Sequence, residues 1–292
     1  MLEEVGTGKR IAENRALCSL PQAANQTQEL AQPGCEPPSA SPLCEQSPVL
    51  TVIVPVYNEV RTIDETIRRI LAVEYSKQVL VVDDGSTDGT REVLRRWKDD
   101  SELTVLVHDV NRGKGAAIRT ALEFARGRFT IIQDADLECV PEDYPRMLDP
   151  LLSGEAHVVY GSRFLEGGSP RPERWGMFRW GVALLNLCVR LLYGVRLTDE
   201  ATCFKAFPTA VLRSMDLQCN RFEFCPEVTA KACRLGLVIR EVAVRYYPRG
   251  MDCGKKIRWT DGITAIATLW RLRNWRLQPT SGTDPRERHS PS

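Results

Sequence analysis

From Val49 to Gln133 the chain alternates short β-branched runs with apolar residues at helical spacing. Val49–Val54 (VLTVIV) predicts a strand stopped by Pro55, and after Thr62 the residues Ile63, Ile67, Ile70 and Leu71 predict a helix. Gln78–Val82 (QVLVV) is a second strand. It ends in Asp83-Asp84-Gly85-Ser86, and Thr87 and Asp88 can cap the helix carrying Val93, Leu94 and Trp97. Leu103–His108 is the third strand, joined through Asn111-Arg112-Gly113-Lys114-Gly115 to a helix over Ala116–Arg126, and Phe129–Gln133 is the fourth. Strands and helices that alternate with short connections predict an α/β domain with a mainly parallel sheet covered on both faces. Such sheets bind ligands beyond the carboxyl ends of their strands. The four predicted strands end in YNE, DDGS, NRGKG and DAD, which puts polar chemistry on one edge.

The stretch FTIIQDADLECVPED carries Asp134, Asp136 and Glu138 at every second position. If the chain stays extended, all three carboxylates point the same way, and a hard divalent cation would offset their repulsion. A solvated acidic loop is the plain alternative, since Asp and Asn are common turn formers. DDGS alone is compatible with an ordinary turn and helix cap. NRGKG, with glycines that admit close backbone approach and Lys114 at a helix start, suits a phosphate but lacks the Walker spacing. Four polar clusters at four strand ends together argue for a ligand site.

Composition narrows the partners. With 39 basic and 38 acidic side chains the formal net charge is +1, which favours neither nucleic acid nor a highly acidic partner. Ten cysteines without a Cys-x-x-Cys pair, and three scattered histidines (His108, His157, His289), argue against a zinc site. The charged start MLEEVGTGKRIAEN is unlike a cleavable signal peptide, so reduced thiols in a cytoplasmic compartment are expected. Residues 1–47 and 278–292 are rich in Pro, Ser, Gln and Thr and are expected to be disordered tails around one domain at 48–277.

Overall neutrality conceals a basic second half. Residues 163–196 hold six arginines against Glu166 and Glu173, net +4, and residues 244–277 hold eight cations against Asp252 and Asp261, net +6. No apolar run reaches the roughly 18 residues of a spanning helix. Trp175–Val195 is broken by Arg179, Asn186 and Arg190. Amphipathic interface helices are therefore expected at about 173–193 and 259–275, either lying in a membrane headgroup layer or simply packing on the sheet.

The motifs TVIVPVYNE, VVDDGSTDGT, NRGKGAAIRTAL, QDADLE and VYGSRF, in this order and spacing, resemble a family-two inverting glycosyltransferase of the GT-A nucleotide-diphospho-sugar transferase fold. That fold is a Rossmann-like, mainly parallel sheet with helices on both faces. The segments LTDEATCFKAF, NRFEFCPEVTAKA, IREVAVRYYPR and GKKIRWTDG extend the resemblance to dolichol-phosphate and polyprenyl-phosphate sugar transferases, over about Val49–Arg273. The resemblance implies transfer of a hexose from a nucleotide diphosphate sugar, of GDP-mannose or UDP-glucose type, to dolichyl or undecaprenyl phosphate, with Mg2+ or Mn2+.

By position in these motifs, Pro55, Tyr57, Glu59 and Asp84 would hold the nucleoside, Asp84 accepting a hydrogen bond from the base. Lys114 would lie near the base or diphosphate. Asp134 would approach the ribose and metal, and Asp136 and Glu138 would ligate the metal. Glutamine is common in the mannosyltransferases where this chain has Glu138. Arg163 and Arg174 match acceptor-phosphate positions, and Arg249 is a further candidate. A hydroxyl acceptor needs a general base, whereas a phosphate acceptor is already anionic and needs cationic guidance.

The expected partners are thus a nucleotide diphosphate sugar, a polyprenyl phosphate lipid and a membrane surface. The chain would either dock peripherally at the cytoplasmic face or be received by a separate membrane subunit. Four other readings compete. A metal-dependent nucleotidyltransferase shares the sheet architecture but would want a glycine-rich phosphate loop directly after the first strand, where this chain has PVYNE. A processive polysaccharide synthase matches Arg171–Trp175 (RPERW) only superficially. A soluble transferase acting on a sugar or protein hydroxyl lacks an evident base. A non-catalytic nucleotide-sugar binding protein is disfavoured because both acids of DAD are present.

Overall fold

The computed structural model describes residues 48–166, 176–248 and 259–277. In chain order the elements are β1 (Leu50–Val56), α1 (Ile63–Ala72), β2 (Lys77–Asp84), α2 (Thr90–Arg95), β3 (Leu103–His108), α3 (Lys114–Phe124) and β4 (Phe129–Ile132). A short 3-10 turn (Pro141–Asp143) leads into α4 (Tyr144–Leu152), β5 (Val158–Ser162), α5 (Gly176–Tyr193), β6 (Lys205–Pro208), α6 (Thr209–Ser214), α7 (Phe224–Arg234), β7 (Ile239–Ala243) and α8 (Trp259–Leu272). The strands form a seven-stranded sheet in the order β3-β2-β1-β4-β6-β5-β7. Only β6 runs against its neighbours β4 and β5; every other pairing is parallel.

Alternation along the strands feeds two cores. Val52 and Val54 of β1 join Ile63, Ile67 and Ile70 of α1 and Tyr144, Met147 and Leu148 of α4 on one face. Ile53, between them in sequence, faces Ala117, Ile118 and Ala121 of α3 and Phe224 and Val228 of α7 on the other. Burial on both faces explains why these strands read as unbroken apolar runs.

Four boundaries differ from expectation. β1 does not stop at Pro55 but pairs through it, opposite Val82 of β2. The Gln133 N–H donates to the Ile53 carbonyl (2.9 Å), and β4 then leaves the sheet. Pro55, two residues beyond Ile53 and facing the same side, therefore has no β4 acceptor for the N–H it lacks. β2 runs on through Asp83 and Asp84, because both buried acids find donors there. The third helix begins at Lys114 and α2 ends at Arg95. Asp88 accepts from the Thr90 N–H (3.0 Å) at the start of α2, although Gly89 holds the cap position.

The two segments expected as interface helices fold as α5 and α8, and each carries apolar residues on an exposed side as well as on its buried one. Val182 and Val189 of α5 are buried, while Trp180 (79% exposed), Leu184, Leu187 and Leu191 form a stripe pointing the opposite way. α8 repeats this with Leu269 buried and Ile263 and Trp270 exposed. The Tyr193 hydroxyl donates to the Leu269 carbonyl (2.6 Å) and ties the two helices together. Among the described residues, no helix is long and apolar enough to cross a membrane.

Candidate active site

The parallel strands deliver their carboxyl ends to one edge, and hydrogen bonds join the loops there. Asn58, in the left-handed region (φ 52°), donates its N–H to Ser86 Oγ (2.9 Å) and accepts the Thr87 N–H on Oδ1 (2.8 Å). The Glu59 N–H donates to Thr90 Oγ1 (2.9 Å), and its carboxylate accepts from Thr62 Oγ1 (3.0 Å) at the start of α1. Pro55, near the end of β1, and Tyr57, just after it, are both half-buried.

Asp83 accepts the Ser86 N–H (2.9 Å) and Arg91 Nε (2.7 Å). Asp84 is buried, and its oxygens accept His108 Nδ1 (2.7 Å), the Arg112 N–H (2.8 Å) and the Gly113 N–H (2.7 Å). His108 Nε2 pairs in turn with Thr120 Oγ1 (3.0 Å). Asp84, expected at the nucleoside base, thus holds the NRGKG loop in position. The glycines of that loop meet protein backbone. A Cβ on Gly113 would lie 2.4 Å from the Asn220 carbonyl oxygen, and one on Gly115 would lie 2.3 Å from that of Cys219. Close approach is required here by the segment preceding α7, whose Asn220 carbonyl also accepts the Ala116 N–H (3.0 Å).

Lys114 reaches from the first position of α3 to the Asp134 carboxylate. Burial lowers the pKa of this ammonium, but Asp134, Cys203 and Cys225 together outweigh burial and raise it. The acidic stretch then turns instead of staying extended: Leu137 is left-handed (φ 61°), and Asp136 Oδ1 accepts the Glu138 N–H (3.1 Å). The expectation of three carboxylates on one face is corrected accordingly. Asp134 faces Lys114, Asp136 closes the turn, and Glu138 accepts the Tyr246 hydroxyl (2.6 Å). Among the described residues, no three His, Cys, Asp or Glu side chains converge as a metal cage.

The turn is organised from beneath by Gln133, which sequence reasoning missed. Its buried amide donates to the carbonyls of Asp134 (3.0 Å) and Cys139 (3.2 Å) and accepts the Tyr144 hydroxyl (3.2 Å). The available signal was an amide residue directly after a short, buried strand.

Arg163, just beyond β5, lies 5.3 Å from the Tyr246 ring centre and forms a bidentate pair with Asp199, Nε to Oδ2 and Nη2 to Oδ1, each 2.7 Å. Burial opposes its charge, and the fully buried Asp199 carboxylate outweighs burial and raises its pKa. Asp199 is present on this edge because β6 runs backwards, so the segment leading into it lies where the parallel strands end. Its own N–H donates to Glu241 Oε1 (2.8 Å) of β7. Asp84, Lys114, Asp134, Glu138, Tyr246, Arg163 and Asp199 thereby form one chain of loops and contacts across the edge. Arg174 and Arg249 lie outside the described residues.

A family model described as "Glycosyl transferase family 2" matches residues 51–217. An undecaprenyl-phosphate mannosyltransferase from Micrococcus luteus is 33% identical over 77% of this chain and 94% of its own length. An undecaprenyl-phosphate 4-deoxy-4-formamido-L-arabinose transferase from Pseudomonas fluorescens is 30% identical over 61% of this chain, which spans about half (52%) of that relative. Among solved structures, glucosyl-3-phosphoglycerate synthase from Mycobacterium tuberculosis, in complex with Mn2+, uridine diphosphate and phosphoglyceric acid, superposes with a TM-score of 0.59. It is 23% identical over 80% of this chain and 81% of that one.

Proposed function

Because the chain belongs to glycosyl transferase family 2 and is a glycosyltransferase of the GT-A fold, we propose that it moves a hexose from a GDP- or UDP-linked donor to a polyprenyl phosphate at the cytoplasmic membrane face. The observation that carries this reading is the buried Arg163–Asp199 pair beside the acidic turn. A hydroxyl acceptor must lose a proton as it attacks, and Asp199, the carboxylate nearest Arg163, has both oxygens committed to that arginine. A phosphate acceptor needs no base. It needs a cation held in place, and Arg163 is fixed by the bidentate pair and by Tyr246. The undecaprenyl-phosphate acceptors named for two relatives support the same class.

The donor would occupy the edge formed by Pro55, Tyr57, Glu59 and the Asp84-braced loop, with its diphosphate toward Lys114 and the acidic turn. Mg2+ or Mn2+ fits the donor set there. These cations take oxygen ligands, and Mg2+ commonly uses one or two carboxylates plus substrate phosphate oxygens, so a three-carboxylate cage is unnecessary. Asp134 and Asp136 would hold the ion with Glu138 alongside. Once bound it would supply positive charge to the departing nucleoside diphosphate. The Mn2+ and uridine diphosphate of the glucosyl-3-phosphoglycerate synthase complex support this assignment. Lys114 would exchange part of its contact with Asp134 for the donor phosphate, while Arg163, with Arg174 and Arg249, would orient the acceptor phosphate. The outward apolar stripe of α5 suits peripheral docking, and Arg179 of that helix lies 5.9 Å from the Phe164 ring beside Arg163.

The test is turnover by purified protein with Mn2+, a panel of radiolabelled UDP and GDP sugars, and undecaprenyl or dolichyl phosphate in detergent, run beside Asp136→Ala. Labelled lipid that disappears in the variant is expected. Donor hydrolysis without labelled lipid across the whole panel would overturn the acceptor assignment.

A further inference from the structure

The membrane-face reading specifies no lipid beyond the acceptor, yet one flank of the apolar stripe has a shaped feature. Ala183, Asn186, Leu187 and Arg190 of α5 form one wall of a groove of about 300 Å3, and Arg196 and Leu197 form the other. The chain is made to return along the helix at this point. Gly194 is left-handed (φ 74°), and its N–H donates to the Arg190 carbonyl (3.0 Å), which ends α5. Asn186 then pins the returning segment, donating Nδ2 to the Thr198 carbonyl (2.8 Å) and accepting the Glu200 N–H on Oδ1 (2.9 Å). Arg196 is thereby held on the Arg190 side of the helix.

Neither Arg190 nor Arg196 has an ion-pair partner among the described residues. The helix C-terminus carries roughly half a negative charge, which two guanidinium groups outweigh. Leu187 belongs both to the groove and to the outward stripe of Trp180, Leu184 and Leu191, so cationic and apolar surfaces share an edge.

Resting on the peripheral-docking reading, we propose that this groove binds the phosphate head group of an anionic phospholipid, while the adjoining leucines enter the acyl boundary. Guanidinium forks match phosphate oxygens, the apolar walls accept the glycerol and first methylenes, and Trp180 suits the headgroup level. The groove also borders the catalytic edge: three residues beyond Arg196 the chain reaches Asp199, the partner of Arg163. A bound lipid would thus orient the active edge toward the bilayer.

The experiment is vesicle flotation of the full chain, without donor or acceptor, on phosphatidylcholine vesicles with and without phosphatidylglycerol. Wild type is expected to bind the anionic vesicles more tightly. Arg190→Gln/Arg196→Gln, with unchanged far-ultraviolet circular dichroism, is expected to bind them roughly 30-fold more weakly, equivalent to about 2 kcal/mol for two charges at a membrane surface. Arg271→Gln/Arg276→Gln on and beyond α8 removes the same charge outside the groove and is expected to cost much less. Equal losses in the two pairs would reduce the groove to general electrostatics and overturn the proposal. So would wild-type binding indifferent to phosphatidylglycerol, or no vesicle binding at all, which would leave the stripe to a protein partner. Displacement by inorganic phosphate beyond that caused by equal ionic strength of chloride would assign the groove to a free anion instead. Turnover with polyprenyl phosphate in detergent is measured separately, so failure of the transferase reading and failure of the groove are told apart.

Discussion

Replacing Arg163 by alanine should unfold the protein far more easily than a surface arginine change would, and the structure sets the scale. Asp199 is fully buried, and two of the hydrogen bonds to its carboxylate come from the Arg163 side chain. Without Arg163 the carboxylate keeps the residue-163 backbone N–H (3.0 Å) but no compensating charge. Removing one partner of a buried ion pair costs about 3–5 kcal/mol, because the other is stranded in a poorly solvating interior. Against a total stability of about 5–15 kcal/mol this is a large fraction. With a urea slope of about 2–3 kcal/mol per molar, the unfolding midpoint should fall by roughly 1–2.5 M. Urea unfolding followed by circular dichroism measures it. The companion variant Arg163→Met/Asp199→Leu removes both charges and should recover most of the stability while transfer activity stays lost. A cost below about 1 kcal/mol for Arg163→Ala, the value of an exposed pair, would refute the claim that Asp199 is sealed from water and unavailable as a base.

Further consequences concern the donor loop, the acidic turn and a buried acid. Gly115→Ala puts a Cβ against the Cys219 carbonyl, and overpacking of this kind should cost about 1–3 kcal/mol and weaken UDP or GDP binding, both readable by urea unfolding and calorimetry. Asp136→Asn, or chelation with EDTA, should lower transfer by about 10³-fold, the equivalent of several kcal/mol of transition-state stabilisation; added Mn2+ should restore the chelated wild type but not the variant. Glu200 is fully buried, and burial raises its pKa while Lys205 opposes the rise. Neither of its oxygens completes a well-formed hydrogen bond; Thr229, whose hydroxyl acts on the carboxyl, is already bonded to Tyr160 (2.8 Å) and to the Cys225 carbonyl (3.0 Å). In the window between the unfolded value near 4.3 and the raised folded value, the native state holds more protons than the unfolded state. Stability from this group is complete below that window and is lost as pH rises through it. Unfolding midpoints measured against pH should therefore fall more steeply above pH ~4.3 for wild type than for Glu200→Gln, and identical slopes would show that the group is not buried as a charge.

The sequence by itself determined the alternating α/β order, the two-sided burial of β1, β2 and β4 and the edge on which the polar clusters lie. These features rest on local periodicity and on the rule that parallel strands end together. Pro55, Tyr57, Glu59, Asp84, Lys114 and the acidic turn stood out in the sequence because each lies at the end of a strand or in the connection that follows it. What each group does there was decided only by tertiary contacts. Asp84 braces a loop, the glycines of NRGKG clear the Cys219–Asn220 backbone, and the acidic stretch turns at Leu137 because Gln133 and Asp136 satisfy its backbone groups. Asp199 and Tyr246 were not legible. Their partners Arg163 and Glu138 lie 36 and 108 residues away in sequence, and only the reversed strand β6 and the return of the chain past β7 bring them to the edge. A periodic pattern reports which face of an element is buried. It carries no information about which distant carboxylate meets which arginine, since that depends on the order of strands in the sheet.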